Sequence, residues 1–220
     1  MRNILLKNSL FLLVVVSAIA WFVLAYFNKL DLSKMGDFFG LIPKVVTIDL
    51  FVIGIFVKWG WKQKIFRNWL VPFPDLNGTW LGSIHSDWVN PNTGNKPPPI
   101  PVMLTINQSF SHVSCKMTTS EMESNSYSEG FIIDAERQIK EIAYSYSSKP
   151  RLSLSERSTP HDGTAVFKII ENPVLKLVGR YWTERPTKGE IIVEFHKRPI
   201  LEELPESLGA HPVTEPENRR

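Results

Sequence analysis

Hydrophobic positions follow two different patterns along the chain. Between residues 4 and 61 they form two long apolar runs, whereas between 75 and 198 they alternate with polar positions in short stretches. Long apolar runs are typical of membrane-spanning helices, and alternation with a period of two is typical of β-strands with one buried face. The pattern therefore predicts two transmembrane helices, at about 5–27 and 43–61, followed by an all-β domain.

The first apolar run covers residues 8–27 and contains no charged side chain. A helix of this length rises about 30 Å, which is the thickness of the hydrocarbon core of a bilayer. Ala18 and Ala20 resemble the small residues of a signal-peptide cleavage site, but the run continues past them to Leu24, where a mature polar sequence would have to begin. We therefore expect a helix that is not cleaved.

The second apolar run begins near Pro43, a residue that fits the first turn of a helix because its missing N–H would have no partner there. Asp49 lies inside this run, and a carboxylate at that depth is costly unless it faces a helix bundle or water. Two interpretations stay open. Either the helix sits shallowly and keeps Asp49 near the interface, or Asp49 contacts a helix of a neighbouring subunit or lines a polar pathway.

The basic residues that flank the two runs predict the orientation of the chain. Those outside the pair of helices outnumber those in the connecting loop by six to two: Arg2, Lys7, Lys58, Lys62, Lys64 and Arg67 against Lys29 and Lys34. Lysine and arginine accumulate on the cytoplasmic side of a membrane. We therefore expect both termini, and the β domain, in the cytoplasm.

Eight alternating stretches follow the helices, and most of them are separated by short turns. They cover residues 79–86, 100–108, 110–117, 127–135, 138–147, 164–171, 174–183 and 190–197. A meander of eight strands can close on itself, which removes its edges and leaves an interior wide enough for one small ligand. After a helical region at 1–70, we therefore predict an all-β domain at 71–198: a closed, eight-stranded, antiparallel up-and-down β-barrel, lipocalin-like but smaller.

Two connections in the β domain are longer than the others, the proline-rich stretch 87–101 and the stretch 147–163. Long loops on a compact domain are often lids or binding loops, and plain surface excursions are the alternative. After Pro199 the chain becomes acidic and rich in proline. We therefore predict a disordered tail at 199–220.

Residue types that perform catalysis or bind metals do not occur here with functional spacing. His85, Ser86 and Asp87 fit a partly exposed strand end, and residues 161–163 fit a hairpin turn because Asp-Gly favours positive φ angles. Cys/His metal spacing and a phosphate-binding glycine loop are both missing from the sequence. A net charge of +3 is too small to favour DNA or RNA as a partner, and a single cysteine excludes an internal disulfide. The domain is therefore predicted to bind a ligand, not to be an enzyme, with no metal and no cofactor.

Aromatic and basic residues of the β domain indicate what that ligand is. Tyr144 and Tyr146 share one face of the fifth strand, and Arg180 stands beside Tyr181 in the seventh. Aromatic rings near guanidinium groups suit a planar base joined to a phosphate, although core packing alone also accounts for the aromatic residues. Neighbouring strand residues point to opposite faces, so Arg180 and Tyr181 cannot both point inward, and the sequence leaves open which one does. Our candidate ligand-binding residues are Arg180, Tyr144, Tyr146, Trp88, Arg151 and Lys168.

Two short sequences connect this arrangement to a known family. The stretch DLNGTWLGSI at 75–84 contains the Gly-x-Trp pattern that opens lipocalin-type barrels, and KGEIIVEFHKR at 188–198 contains the last predicted strand. With two helices ahead of an eight-stranded barrel, the chain resembles the two-transmembrane β-barrel effectors of bacterial CBASS anti-phage systems, which are also described as SMODS-associating β-strand-rich effectors. The resemblance covers residues 1–198 and rests on the architecture and these strand sequences.

This resemblance implies a signalling function. In that family a partner nucleotidyltransferase makes a cyclic oligonucleotide on infection, here expected to be a cyclic dinucleotide. The cytosolic barrel binds this second messenger, the protein forms a homo-oligomer, and its helices disrupt the bacterial inner membrane, so that the infected cell dies. The resemblance thus implies a multi-pass inner-membrane protein whose partners are the cyclic nucleotide, the bilayer and other copies of itself.

A different function also fits the predicted architecture. A membrane-anchored, lipocalin-like barrel could bind an apolar small molecule or a protein partner. The residues that line the interior separate these alternatives. A lining made mainly of aliphatic side chains would favour the apolar ligand, whereas convergent arginines would favour the nucleotide; the aliphatic candidates are Val102, Leu104, Ile106, Leu175 and Leu177.

Overall fold

The computed structural model describes residues 6–31, 33–91, 93–152, 158–209 and 212. The chain divides into two compact units at the bond between Pro74 and Asp75. The first unit is helical and the second is an all-β unit.

The first unit contains three α-helices: α1 (Leu6–Phe27), α2 (Met35–Gly40) and α3 (Ile42–Lys58). Two segments, Lys7–Phe27 and Met35–Lys58, are long and apolar enough to cross a membrane. Pro43 lies in the first turn of α3, as expected, but the helix ends at Lys58 and not near residue 61. Gly60, a poor helix former, begins a short 3-10 turn there.

A hydrogen bond between side chains connects α1 and α3. Ser17 Oγ donates to Asp49 Oδ2 at 2.7 Å, and Asp49 Oδ1 is buried and has no hydrogen-bond partner among the residues that the structure describes. One turn further along α1, the Trp21 ring packs on Phe38 of α2 with ring centroids 4.6 Å apart. The contact that Asp49 makes in this structure is therefore within its own chain.

The second unit is a closed barrel in which each strand pairs antiparallel with the next and the last strand pairs with the first. Its eight strands are β1 (Gly78–Ser86), β2 (Ile100–Gln108), β3 (Val113–Thr118), β4 (Met122–Asp134), β5 (Ile139–Pro150), β6 (His161–Ile170), β7 (Lys176–Thr183) and β8 (Lys188–Lys197). The predicted fold class, two apolar helices followed by an eight-stranded antiparallel up-and-down barrel, is confirmed.

The connection between β5 and β6 is shorter than predicted, because both strands continue toward the loop. Ser147 pairs with Asp162 and Ser148 pairs with His161, so the loop covers 151–160 and not 147–163. The prediction of a hairpin turn at 161–163 was therefore wrong. These three residues are the start of β6, where ladder hydrogen bonds to β5 override the local turn preference of Asp-Gly.

One end of the barrel is closed by packed side chains. Trp80 is fully buried, its Nε1 donates to Leu76 O at 3.0 Å, and its ring meets Phe195 edge-on with centroids 5.3 Å apart. Gly78 has a φ of 129°, and a Cβ there would stand 2.4 Å from Lys197 O, so the Gly-x-Trp pattern needs its glycine. The adjoining interior is filled by large buried side chains, among them Val102, Leu104, Ile106, Ile142, Phe167 and Leu177.

The segment after β8 begins against the barrel. Thr79 Oγ1 donates to Pro199 O at 2.8 Å and accepts a hydrogen bond from Leu201 N at 2.9 Å. These bonds attach the first residues of the segment predicted as a disordered tail to β1. Residues 210, 211 and 213–220 of that predicted tail lie outside the described residues.

Candidate functional site

The other end of the barrel holds a cavity of about 250 Å³. Its lining includes aromatic rings from three strands or strand ends and several hydroxyl groups: Trp88, Tyr146 and Tyr181, with Ser124, Ser148 and Ser158. These residues lie on the inward face of the barrel or in the turns that continue it. Apolar side chains also line the cavity, among them Ile84, Ile100, Met117, Met122 and Ile191, so its wall combines apolar, aromatic and hydroxyl-bearing surface.

Two tyrosines of the cavity lie opposite glycines on neighbouring strands. Tyr146 pairs with Gly163, and a Cβ at 163 would stand 2.6 Å from Cζ and Oη of that tyrosine. Tyr181 pairs with Gly189, where a Cβ would stand 2.8 Å from Cε1 of the ring. The two glycines therefore leave room for the rings to lie across the strands.

The hydroxyl groups of these tyrosines are neutral donors. Burial raises the pKa of Tyr146, and burial also raises the pKa of Tyr181. Tyr181 Oη donates to Ser86 Oγ at 3.1 Å, which holds its ring against the end of β1. Rings held in this way give a stacking surface that loses little conformational freedom when a ligand binds.

Arg185, in the turn between β7 and β8, supplies a guanidinium to the cavity. Its Nη1 donates to Ser158 Oγ at 3.3 Å and its Nη2 donates to His161 Nδ1 at 2.7 Å. Its Nε is buried and has no hydrogen-bond partner within the described part of the chain. A buried N–H without a partner is costly on a charged group, and an anionic ligand would satisfy it.

His161 contacts both Arg185 and the backbone at Thr159 through the same ring nitrogen. His161 Nδ1 lies 2.7 Å from Arg185 Nη2, which can only donate, and 3.2 Å from Thr159 O, which can only accept. Burial, together with the charge of Arg185, lowers the pKa of His161 below its ordinary value of 6.5. At neutral pH the ring is therefore an uncharged support for Arg185.

Two of the six residues predicted to bind ligand line the cavity, namely Tyr146 and Trp88. Tyr144 lies deeper and is only 3% exposed. Its ring stacks on Phe167 with centroids 6.0 Å apart, and its hydroxyl is buried without a hydrogen-bond partner among the described residues. Tyr144 thus belongs to the wall between the packed core and the cavity.

Arg180 and Lys168 lie on the outer surface of the barrel. Arg180 lies opposite Glu190 in the β7–β8 ladder, in an external groove that also contains Trp182. Lys168 lies opposite Glu141 in the β5–β6 ladder. Strand alternation explains this placement: Tyr181 points inward, so its neighbour Arg180 points outward. The structure does not bring Arg180 or Lys168 together with Tyr146, and their predicted role in binding stays a prediction.

Arg151 directly follows β5 and is exposed. Its backbone N donates to Glu121 O at 3.0 Å, and Glu121 lines the cavity. Arg151 therefore lies next to the rim, outside the cavity lining.

Sequence analysis missed Arg185, although a signal for it was present. Alternation places Tyr181 and Thr183 on the inward face of β7, and continuing it by two more positions reaches Arg185. The same rule applied to β3 leads from Met117 through Thr119 to Glu121. Both charged residues stand in turns just beyond a strand end, outside the predicted strands 110–117 and 174–183.

The described lining of the cavity combines aromatic rings with a single guanidinium. Such a closed barrel is a receptor for a small ligand that has a planar part and an anionic part. The family model described as "Cap15, cyclic dinucleotide receptor domain" matches residues 71–194. The chain belongs to this family, and residues 71–194 are its cyclic dinucleotide receptor domain. The resemblance found in the sequence is thereby confirmed. No curated protein matches the chain.

Proposed function

We propose that the cavity at the open end of the barrel binds the cyclic dinucleotide. Arg185 binds a phosphate, and the rings of Trp88, Tyr146 and Tyr181 stack on a base. The unpaired, buried Nε of Arg185 carries this proposal, because it is a cationic donor in the lining of a cavity that contains aromatic rings, with no partner in the described chain. Bidentate binding of phosphate oxygens through Nε and an Nη group is a common use of arginine.

The size of the cavity indicates how the ligand is arranged in it. A volume of about 250 Å³ is below the roughly 300–1,000 Å³ of sites that enclose a drug-sized ligand. A cyclic dinucleotide therefore inserts one nucleotide into the barrel and leaves the other at the mouth. Arg151, at the rim, is the candidate for the second phosphate.

We further propose that the bound ligand drives the response expected of a CBASS effector. The ligand comes from a partner nucleotidyltransferase, the protein forms a homo-oligomer, and the helices disrupt the inner membrane of the infected cell. The two apolar helices ahead of the receptor domain support this proposal. The basic residues that flank them support a cytosolic barrel.

The alternative, a barrel that binds an apolar molecule, has less support. Its aliphatic residues are packed into a solid core: Val102, Leu104, Ile106 and Leu177 are fully buried. The described lining of the open cavity adds hydroxyl groups, aromatic rings and one guanidinium to its isoleucine and methionine side chains. A fatty chain placed there would leave the Nε of Arg185 without a partner, at a cost of about 1–3 kcal/mol.

The test is direct titration of the full-length chain in detergent micelles. Calorimetry with a panel of cyclic dinucleotides should give micromolar or tighter binding for at least one member, and the linear dinucleotide should bind more weakly. The same ligand should release dye from vesicles that contain the protein. A folded protein that binds no member of the panel would contradict the proposal, and binding of a fatty acid in its place would establish the alternative.

A further inference from the structure

The inward face of β5 ends in a serine hydroxyl group. Ile142, Tyr144 and Tyr146 are buried on this face, and strand alternation continues it to Ser148. Ser148 is 4% exposed and lines the cavity. Its Oγ makes no hydrogen bond to the residues that the structure describes, yet it is not sealed from open space as Tyr144 Oη is. The hydroxyl is therefore a donor on the cavity wall that is available to a ligand.

Ser148 lies beside the residues that contact Arg185. It stands directly opposite His161 in the β5–β6 ladder, and both residues line the cavity. Directly opposed residues of a ladder have their Cβ atoms roughly 4.5–5.5 Å apart. Arg185 Nη2 is 2.7 Å from Nδ1 of that histidine and Nη1 donates to Ser158 Oγ, whereas Nε has no partner in the described chain. One wall of the cavity thus carries two donors without an acceptor among the described residues, a hydroxyl and a guanidinium N–H.

A phosphodiester has two non-bridging oxygens on one phosphorus atom, and each of them accepts hydrogen bonds. The free N–H at Arg185 Nε satisfies one of these oxygens. A hydroxyl satisfies the other without a second cation, and a hydrogen bond from an O–H to a charged oxygen is short and strong. The hydrogen of a serine hydroxyl rotates to suit its acceptor, so Ser148 can donate once the ligand is in place. The two donors on this wall therefore match the two oxygens of one phosphodiester.

We infer that Ser148 binds the phosphodiester together with Arg185: Ser148 Oγ donates to one non-bridging oxygen, and Arg185 Nε donates to the other. This inference rests on the proposed function and names a second residue of the phosphate site. Arg185, in the turn after β7, supplies the charge, and Ser148, on β5, fixes the orientation of the phosphate. The two oxygens are stereochemically distinct, so the site distinguishes the two configurations of a phosphorothioate, in which sulfur replaces one of them.

The experiment combines sulfur substitution in the ligand with mutation, using calorimetric titration of the full-length chain in detergent micelles. The probes are cyclic diguanylate, cyclic diadenylate and the mixed cyclic guanylate–adenylate. Each is used in three forms: with oxygen only, and as the Rp,Rp and the Sp,Sp phosphorothioate. Sulfur is a weaker hydrogen-bond acceptor than oxygen. The wild-type protein should therefore bind both sulfur forms of a given probe more weakly than its oxygen form.

Ser148→Ala should weaken binding of the oxygen form roughly tenfold or more, as expected when a hydrogen bond to a charged group is lost. It should also remove the affinity difference between the oxygen form and one sulfur form, because that contact is already missing. The difference for the other sulfur form, which comes from Arg185, should stay. Ser148→Thr keeps the hydroxyl and should keep both differences. A purely structural effect of alanine would instead weaken binding of all three forms equally.

Ser147→Ala is the matched control. Ser147 is the preceding residue of β5 and lies on the outer face of the strand, outside the described cavity lining. This variant should bind all three forms as the wild-type protein does. Three results would overturn the inference and leave the proposed function intact: equal wild-type affinities for the sulfur and oxygen forms, an unchanged affinity in Ser148→Ala, or an equal loss for all three forms in that variant. Failure of every probe to bind would overturn the proposed function itself.

Discussion

Tyr146 lies directly across the β5–β6 ladder from Gly163, and its ring occupies the space that a side chain at position 163 would fill. A Cβ at that position would stand 2.6 Å from the tip of the ring and 2.9 Å from Trp182 O. Because one of these neighbours is backbone, the strand cannot move away from the added methyl group. The glycine therefore decides where the ring of Tyr146 lies, and with it the shape of the cavity.

Gly163→Ala should displace Tyr146 from the cavity wall. We expect a loss of about 1–3 kcal/mol in the free energy of unfolding, as for other overpacked sites, and weaker binding of the cyclic dinucleotide. Thermal unfolding and calorimetry of the full-length chain measure the two effects. Gly130→Ala is the control, because nothing lies within 4 Å of a Cβ there and a strand residue other than glycine is favoured. An equal loss in both variants would show that the ring of Tyr146 is not the cause.

Arg185→Gln should remove most of the phosphate affinity without unfolding the barrel. Hydrogen bonds to charged groups contribute about 1.5–3 kcal/mol, so the dissociation constant should rise roughly ten- to hundredfold. Glutamine lacks the Nη atoms that bind Ser158 and His161, so thermal unfolding of the same variant measures the accompanying loss of stability. Arg180→Gln, on the outer face of the same strand region, should change affinity by less than about threefold. If Arg180→Gln were the more damaging variant, the ligand would bind in the external groove.

The barrel was predictable because its signal is local and repeated. Alternation in β2 located that strand at both ends, 100–108, and the other strands were found with errors of up to five residues, the largest at the start of β4, predicted at 127 and found at Met122. The start of β3 was placed too early, at 110, because the turn at Ser109 and His112 depends on a hydrogen bond between them that has no hydrophobic signal: Ser109 N donates to His112 O at 2.7 Å. Strand boundaries thus depend on interactions that alternation does not encode.

The cavity was harder to predict than the barrel, for a physical reason. Strand periodicity says which residues point inward, but not at which height the packed core stops and open space begins. Tyr144 and Tyr146 share one face, yet Phe167 covers the first and Gly163 makes room for the second. That difference arises from the neighbouring strand β6, whose register with β5 no single-strand pattern reveals.

The contact between His161 and Arg185 should make stability and ligand binding respond to pH in opposite directions. The pKa of His161 is lowered in the folded protein, so the folded state binds fewer protons than the unfolded state just below pH 6.5. Stability is therefore full above about pH 6.5 and falls as the pH drops through that window. Protonated His161 cannot accept a hydrogen bond from Arg185. The nearby carboxylates of Asp162 and Glu184 raise the pKa of His161, but they only partly offset its lowering by burial and by Arg185.

Ligand affinity should increase over the same pH range, because a protonated His161 adds a positive charge beside the phosphate. Unfolding in denaturant and calorimetric titration between pH 5 and 7.5 measure the two trends. His161→Gln, which keeps an acceptor for Arg185, should flatten both. A pH dependence of affinity that persists in His161→Gln would assign it to another group.

The hydrogen bond from Ser17 to Asp49 predicts opposite effects for its two partners. In the proposed mechanism Asp49 leaves its partner in the same chain when the helices associate, and a carboxylate in the membrane needs a polar partner or water. Ser17→Ala removes the partner inside the chain and should raise dye leakage from protein-containing vesicles in the absence of ligand. Asp49→Asn should lower ligand-induced leakage, because an uncharged carboxamide attracts water less strongly.

Thr47→Ala is the control for the loss of a hydroxyl group from this pair of helices. Among its described contacts, Thr47 Oγ1 donates only to Pro43 O of its own helix, at 2.8 Å. Ser17 Oγ makes the same kind of bond within its helix, to Leu13 O at 2.9 Å, and in addition contacts Asp49. Loss of a hydroxyl bond within one helix should therefore leave leakage near the wild-type level, whereas loss of the bond between helices should not. If Asp49→Asn retained full leakage and full toxicity in cells, the aspartate would have no part in membrane disruption. The helices would then act through their apolar surfaces alone.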